Sequence, residues 1–244
     1  MTVNAGLRVP LGRRRLAWAA LAGAMTLAAG LVSDSPAAST SARVEGKGLR
    51  PRTPGSALRE LAAGNARWRT FHERHPDQTR AVRQTLVSGQ HPFAVVLGCV
   101  DSRVPPELVF DQGLGDLLTV RSAGSILDEA VLASITYGVH ELGIPLVVVL
   151  GHQSCGAVTA AVHAAEDGMQ LPGHMQYLAD QIHPAIDRTL HGAARVDAAI
   201  TANVRLVCSR LAVEPSLAEK VTAGELAVVA ARYELTSQRV HRIH

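Results

Sequence analysis

Two short segments about fifty residues apart carry the reactive side chains of this chain: Cys99-Val100-Asp101-Ser102-Arg103 and His152-Gln153-Ser154-Cys155. Together they offer two thiolates, one imidazole and one carboxylate. That is a complete four-ligand set for zinc, which takes sulfur, nitrogen and carboxylate donors in tetrahedral geometry. His152 and Cys155 are three residues apart at a predicted strand-to-helix turn, and Gly151 and Gly156 flank them, so the backbone can come close. Asp101 and Arg103 are two apart on an extended segment and point the same way. A guanidinium there can grip the carboxylate with two parallel hydrogen bonds and hold it off the metal, leaving the fourth position to water as a catalytic zinc site requires. Other readings stay open on these residues alone: Cys99 and Cys155 as separate core thiols, the two as a redox pair, and Asp101–Arg103 as a structural salt bridge.

The elements that must position these groups can be read from the apolar runs. Phe93–Leu97 and Leu146–Leu150 are continuous and aliphatic, as buried parallel strands are. Each run leads directly into one reactive segment, which puts the ligands at the carboxyl ends of neighbouring strands, where open α/β sheets place their sites. Further strands are expected at Leu117–Arg121 and Glu225–Arg232, with a short one around Val240 and Ile243. Helices are expected from Ser56, as cap, to about Phe71; near Glu107–Phe110; from a cap at Asp128 to Leu142; from Cys155 onward; over Ala194–Leu211; and over Pro215–Ala223. The polar stretch to Gln90 reads as an arm or second helix, and residues 168–192 fit no pattern. Strand–helix alternation predicts an α/β fold with a mainly parallel, right-handed crossed sheet.

The motifs join into a longer pattern. Gly98-Cys99-Val100-Asp101-Ser102-Arg103-Val104, Pro106-Glu107, Gly115-Asp116-Leu117, Arg121-Ser122-Ala123-Gly124 and Gly151-His152-Gln153-Ser154-Cys155-Gly156-Ala157-Val158 closely resemble the beta-class carbonic anhydrases. So do Gly64-Asn65-Ala66-Arg67-Trp68 and Gly224-Glu225-Leu226-Ala227-Val228-Val229; the resemblance runs from about Leu58 to Arg239. It implies one zinc per subunit on Cys99, His152 and Cys155, with Asp101 either the fourth ligand or paired with Arg103 while water takes that place. It implies four parallel strands plus a further carboxyl-terminal strand, helices on both faces, and an amino-terminal helical arm. It also implies a homodimer or homotetramer with sites at subunit interfaces, and hydration of carbon dioxide to bicarbonate and a proton by zinc-bound hydroxide, with Asp101 and Arg103 as the catalytic pair. Hydrolysis of carbon disulfide or carbonyl sulfide on the same fold is the alternative, as is a zinc-stabilised binding domain without turnover. The chain departs from the family at Ser122 and Ser125, where Asn is usual, which bears on loop hydrogen bonds, and at Ala231, where Gly is usual.

Composition sets the remaining bounds. The 244 residues suffice for one domain, and 3% aromatic content makes the core aliphatic. Arg13-Arg14-Arg15 precede an apolar stretch from Leu16 to Val32 and then small residues to Ala38. This is the layout of a secretory signal over residues 1–38, short of the ~20-residue run that spans a membrane. The arginines resemble the twin-arginine export signal, which carries folded proteins and would let the thiolates take metal before reaching an oxidising compartment. Export, with no stable membrane association afterwards, is therefore expected. Residues 39–54 read as a flexible linker and 55–244 as the single domain. The signal holds the chain's whole net charge of +3, so nothing argues for a nucleic-acid partner. Three cysteines argue against a disulfide framework, and Cys208 reads as a small buried hydrophobe. Gln112 is a candidate substrate contact. His140, His163, His174, His183, His191, His241 and His244 lack ligand spacing and read as surface or core residues.

Overall fold

The aliphatic runs form the centre of a five-stranded sheet. The computed structural model describes residues 50–244. Strands β1 (Ala94–Gly98), β2 (Leu117–Arg121), β3 (Leu146–His152), β4 (Ala227–Tyr233) and β5 (Val240–Arg242) lie in the order β2-β1-β3-β4-β5. The first four are parallel and β5 is antiparallel to β4. This is the expected fold class. Every residue of β1 and β3 is buried, so these strands lack alternation and read as continuous runs.

Alternate residues of the central strands enter two cores. Val96, Leu146, Val148, Leu150, Val229 and Ala231 pack with Ala57 and Leu61 of α1 (Pro54–Arg69). Val95, Leu97, Val147 and Val149 pack on the other face against Val131, Ile135 and Val139 of α4 (Glu129–His140) and Val204, Val207 and Leu211 of α7 (Gly192–Ala212). Each such fully buried side chain contributes about 1.5–3 kcal/mol of transfer free energy. A third cluster encloses Cys99 and Cys155 with Val158 and Val162 of α5 (Gly156–Asp167), Ala179 and Ile182 of α6 (Met175–Ile182), and Ala199 and Ile200 of α7. Residues 168–192, which fit no sequence pattern, thus contribute α6 to the wall around the cysteines.

Helix starts differ from expectation in one instructive case. The cap of α1 is Thr53, not Ser56. Thr53 Oγ1 accepts the Ser56 N–H and Ser56 Oγ accepts the Thr53 N–H, a reciprocal capping box, with Pro54 in the first turn. The pre-set φ of Pro54 carries the helix one turn further upstream than Ser56 alone suggests, so residues 53 and 54 leave the expected linker. Asp128 caps α4 as expected, accepting the Val131 N–H at 2.8 Å. The polar stretch before Gln90 forms a short helix, α2 (Arg80–Thr85), and the remaining helices are α3 (Pro106–Val109) and α8 (Pro215–Thr222). Among the described residues no helix is long and apolar enough to cross a membrane. The expected signal segment lies outside the described residues.

Candidate metal centre

The connection leaving β1 runs to β2 on one side and the connection leaving β3 runs to β4 on the other, so the chain turns in opposite directions from these two neighbouring strands. This switch point opens a crevice at the carboxyl ends of the strands. Gly98 pairs in register with Leu150, so Cys99 emerges from β1 beside the end of β3, where His152 and Cys155 follow. The ligand atoms of Cys99, His152 and Cys155 all lie within 4.8 Å of one another, and the three residues are 4%, 0% and 3% exposed. The sulfurs are 4.0 Å apart and both cysteines are free. Zinc–sulfur bonds of ~2.3 Å at the tetrahedral angle separate two sulfurs by about 3.8 Å, whereas a disulfide needs ~2.05 Å. His152 Nδ1 lies 2.9 Å from the Gln153 carbonyl, which only accepts, so that nitrogen carries the proton. Nε2 keeps its lone pair. It is buried and has no hydrogen-bond partner among the described residues. An orphaned imidazole nitrogen facing two thiols, its tautomer fixed from the far side, is the arrangement of a metal ligand. The donor set fits zinc.

The surrounding backbone favours negative charge on sulfur. The Gly124 N–H points at Cys99 Sγ, 3.3 Å away. Cys155 sits at the cap position of α5, where the Ala157 and Val158 N–H groups act on its sulfur. Side by side, the two thiols share a proton. The hydrogen bond from Cys155 pulls Cys99 far below the usual thiol range, and the same bond, with burial, pushes Cys155 up. Arg121, at the end of β2, clamps the first segment by donating to the Cys99 carbonyl at 2.8 Å and the Asp101 carbonyl at 2.7 Å.

Asp101 stands apart from the three-ligand group. Arg103 Nε donates to Oδ1 at 2.9 Å and Nη2 to Oδ2 at 2.7 Å, and the Arg103 backbone N–H adds a third bond at 2.9 Å. Held by the Arg103 side chain, the carboxyl is pulled down to about 2. Oδ2 lies 3.9 Å from His152 Nε2, at the rim of the cluster. Arg103 Nη2 also reaches the Ser154 carbonyl at 3.4 Å, tying the two segments together. Of the four ligands expected from sequence, the structure gathers Cys99, His152 and Cys155 and places Asp101 in the grip of Arg103.

The lesser candidates resolve variously. Gln112 is buried, and its amide donates to the Phe110 carbonyl at 2.9 Å and to Glu60 at 3.4 Å, a packing role rather than a surface one. His140 pairs with the Ser216 carbonyl. Cys208 is only half-buried, packed against the edge of the α7 core. Both loop serines are bonded: Ser122 Oγ donates to the Ile126 carbonyl at 2.7 Å and Ser125 Oγ to that of Leu150 at 3.3 Å. Three groups at the centre were not singled out from sequence: the Gly124 N–H, Arg121 as a clamp, and Asn203 of α7, whose amide donates to the Gly124 carbonyl at 2.8 Å. The available signal for Asn203 was a polar residue on the apolar stripe of a helix. A cleft of about 400 Å³ between α1 and strands β3 to β5 shares no lining residue with the cluster. A cavity of about 10 Å³ adjoins it, lined by Gly124, His152, Cys155 and Asn203 among others.

Comparison with known proteins agrees with this geometry. The family described as "Carbonic anhydrase" matches residues 94–240. "Carbonic anhydrase 2" of Mycobacterium tuberculosis is 41% identical over 188 residues, covering 76% of this chain and 91% of that protein. A carbonic anhydrase of Mycolicibacterium smegmatis is 41% identical over 190 residues, covering 77% and 92%. Among solved structures, the beta-carbonic anhydrase CcaA superposes with a TM-score of 0.63 at 24% identity, covering 77% of this chain and 95% of that one. A chain from the pair of tetrameric beta-carbonic anhydrases of Sordaria macrospora gives 0.62 at 21% identity, covering 76% of this chain and 96% of that one.

Proposed function

The chain belongs to the carbonic anhydrase family and has the beta-class fold, and from that premise we propose that it hydrates carbon dioxide reversibly to bicarbonate and a proton, with zinc held by Cys99, His152 and Cys155. The observation that carries this reading is the two-pronged grip of Arg103 on Asp101, which holds the carboxylate apart from the three ligand atoms. Zinc bound there supplies a Lewis acid and brings a coordinated water toward neutral pKa, about 7 in carbonic anhydrases with three histidine ligands.

This chain's own residues do the rest. Asp101, ionised and held at the rim by Arg103, can only accept, so its Oδ2 would orient the proton of a water supplied by the metal. Arg103 holds that carboxylate and ties it to the second segment through Ser154. Ile126, Val158 and Ile200 pack behind the ligands and exclude water from that side. Two thiolates put more negative charge at the centre than three imidazoles, so activity should rise from about pH 6 to about pH 9; a flat profile over that span would count against the reading.

The direct test is stopped-flow carbon dioxide hydration by the wild type and Asp101→Asn. The amide would present an N–H₂ donor to an Arg103 donor, and a loss of about 10²-fold or more is expected. Equal rates would sink the Asp101–Arg103 assignment. We further propose a homodimer or homotetramer, supported by exposed Val100 and Leu108 beside the site and by the tetrameric Sordaria proteins. Export is proposed from Arg13-Arg14-Arg15 and the apolar stretch after them. Light scattering on the purified protein and fractionation of Arg13→Lys/Arg14→Lys cells test these two readings.

A further inference from the structure

Asn203 lies on the buried stripe of α7 with Ala199, Ile200, Val204 and Val207, and is 2% exposed. Its Nδ2 donates to the Gly124 carbonyl at 2.8 Å, while its Oδ1 has no hydrogen-bond partner among the described residues. A buried amide with one end unserved destabilises a helix core relative to leucine of similar size. What its Nδ2 holds accounts for a polar residue here.

What it holds is the loop that touches the metal ligand. Gly124 adopts φ 70° and ψ 12°, and Ser125 follows at φ 55°, two successive left-handed residues. On one side the Gly124 N–H meets Cys99 Sγ at 3.3 Å; on the other its carbonyl meets Asn203. A Cβ at Gly124 would lie 3.0 Å from Ile182 Cδ1 and 3.4 Å from Ala157 Cβ, so the turn is packed from the α6 and α5 sides as well. Fixing the carbonyl fixes the orientation of residue 124, and with it the aim of its N–H.

We propose that Asn203 is a positioning residue of the metal centre: by holding the Gly124 carbonyl it keeps the Gly124 N–H on the Cys99 sulfur and so limits the charge this thiolate donates to the metal. An N–H···S bond withdraws electron density from a thiolate, and loss of the bond makes the sulfur a stronger donor and the metal a weaker Lewis acid. The inference rests on the metal-site reading given above.

The test uses the full chain loaded with Co²⁺ in place of zinc, comparing wild type, Asn203→Leu and Asn203→Asp. The first variant removes the donor and keeps the volume, and the second sets a carboxylate against the Gly124 carbonyl. Both are expected to shift the thiolate-to-cobalt charge-transfer absorption to lower energy. Both should also weaken Co²⁺ binding about tenfold in chelator competition, because the lost positioning of the Cys99 sulfur outweighs its stronger donation; this is the low end for partners outside the ligand shell. In the diamagnetic zinc-loaded forms of the same proteins, the Gly124 amide proton, observed by NMR, should move upfield as its bond to sulfur weakens. If the wild type shows no thiolate charge-transfer band, the metal reading itself fails. If the wild type shows it and a folded variant keeps the same band, affinity and Gly124 shift, only the Asn203 inference is overturned; a lowered melting temperature with those readouts unmoved overturns it too. Should Asn203→Leu fail to fold, Asn203→Asp carries the same three measurements.

Discussion

Replacing Gly151 with alanine tests whether the end of β3 is positioned by close packing against α7. A Cβ at Gly151 would stand 2.3 Å from Val204 Cγ2 and 3.9 Å from the Ala231 carbonyl oxygen, so a single methyl group obstructs it. Carbon–carbon contacts settle at ~3.5–4.0 Å, and the two groups must therefore part by roughly 1.5 Å. Val204 cannot turn away easily, because one χ1 rotamer dominates for valine in a helix and the residue is only 2% exposed. Overpacking of this kind costs about 1–3 kcal/mol, and we expect about 2, or a melting temperature lowered by roughly 4–8 °C. Val204→Ala alone loses two methyl groups of about 0.8 kcal/mol each plus a cavity contribution, about 2 kcal/mol in all. In the double variant the new methyl occupies the space left by Cγ2, so the total should be about 1–2 kcal/mol instead of the additive ~4. Gly151 directly precedes His152, and metal–ligand distances tolerate only ~0.2 Å. Metal affinity should thus fall in Gly151→Ala and return in the double variant. Thermal melts and chelator competition on the four proteins measure both cycles. Additive losses in the two cycles would refute the argument.

Three further outcomes follow from the same geometry. Metal-free protein treated with hydrogen peroxide should form a Cys99–Cys155 disulfide, since the sulfurs start 4.0 Å apart with Cys99 as thiolate, whereas metal-loaded protein should resist; intact mass and thiol titration distinguish them. Arg103→Met should free the Asp101 carboxylate, whose Oδ2 is 3.9 Å from His152 Nε2, to close the fourth position, lowering hydration about tenfold or more and altering the visible spectrum of the cobalt form. Asp111→Asn should flatten the acid limb of stability. Burial opposes ionisation of Asp111, but bonds from Arg67 and the Arg74 and His75 N–H groups outweigh it and hold the carboxyl below its usual range. Its contribution is therefore complete above the unfolded-state value of about 3.9 and is lost as pH falls through the lower folded value, which chemical denaturation at a series of pH values will show.

The strands were legible because continuous aliphatic runs closed by Gly and Pro have few other uses, and the ligands because they directly follow two of those runs. Legibility failed where a residue's meaning depends on something distant in sequence. Residues 168–192 are broken by Gly168, Pro172, Gly173 and Pro184, and α6 becomes a helix of eight residues through Ala179 and Ile182 packing on other helices. Asp111 has no local motif to mark it, and its role lies in gathering the segment at Arg74 and His75, more than thirty residues away. Asn203 lies 79 positions from its partner and Arg121 22 from Cys99, and no local spacing encodes either pair. At α1 the error was smaller: both members of the capping box are in the sequence, and Pro54 decides which one is the cap.

The register of β1 against β3 also governs time. Cys99 is one residue past β1 and His152 is the last residue of β3, and those two strands pair directly along their length in the interior of the sheet. Cys99 and His152 therefore cannot part unless β1 shears from β3, whereas Cys155, three residues past β3 in the turn before α5, can move with its loop. An ion held at this centre should therefore be released through Cys155 first, with Cys99 and His152 kept together for as long as the native sheet lasts.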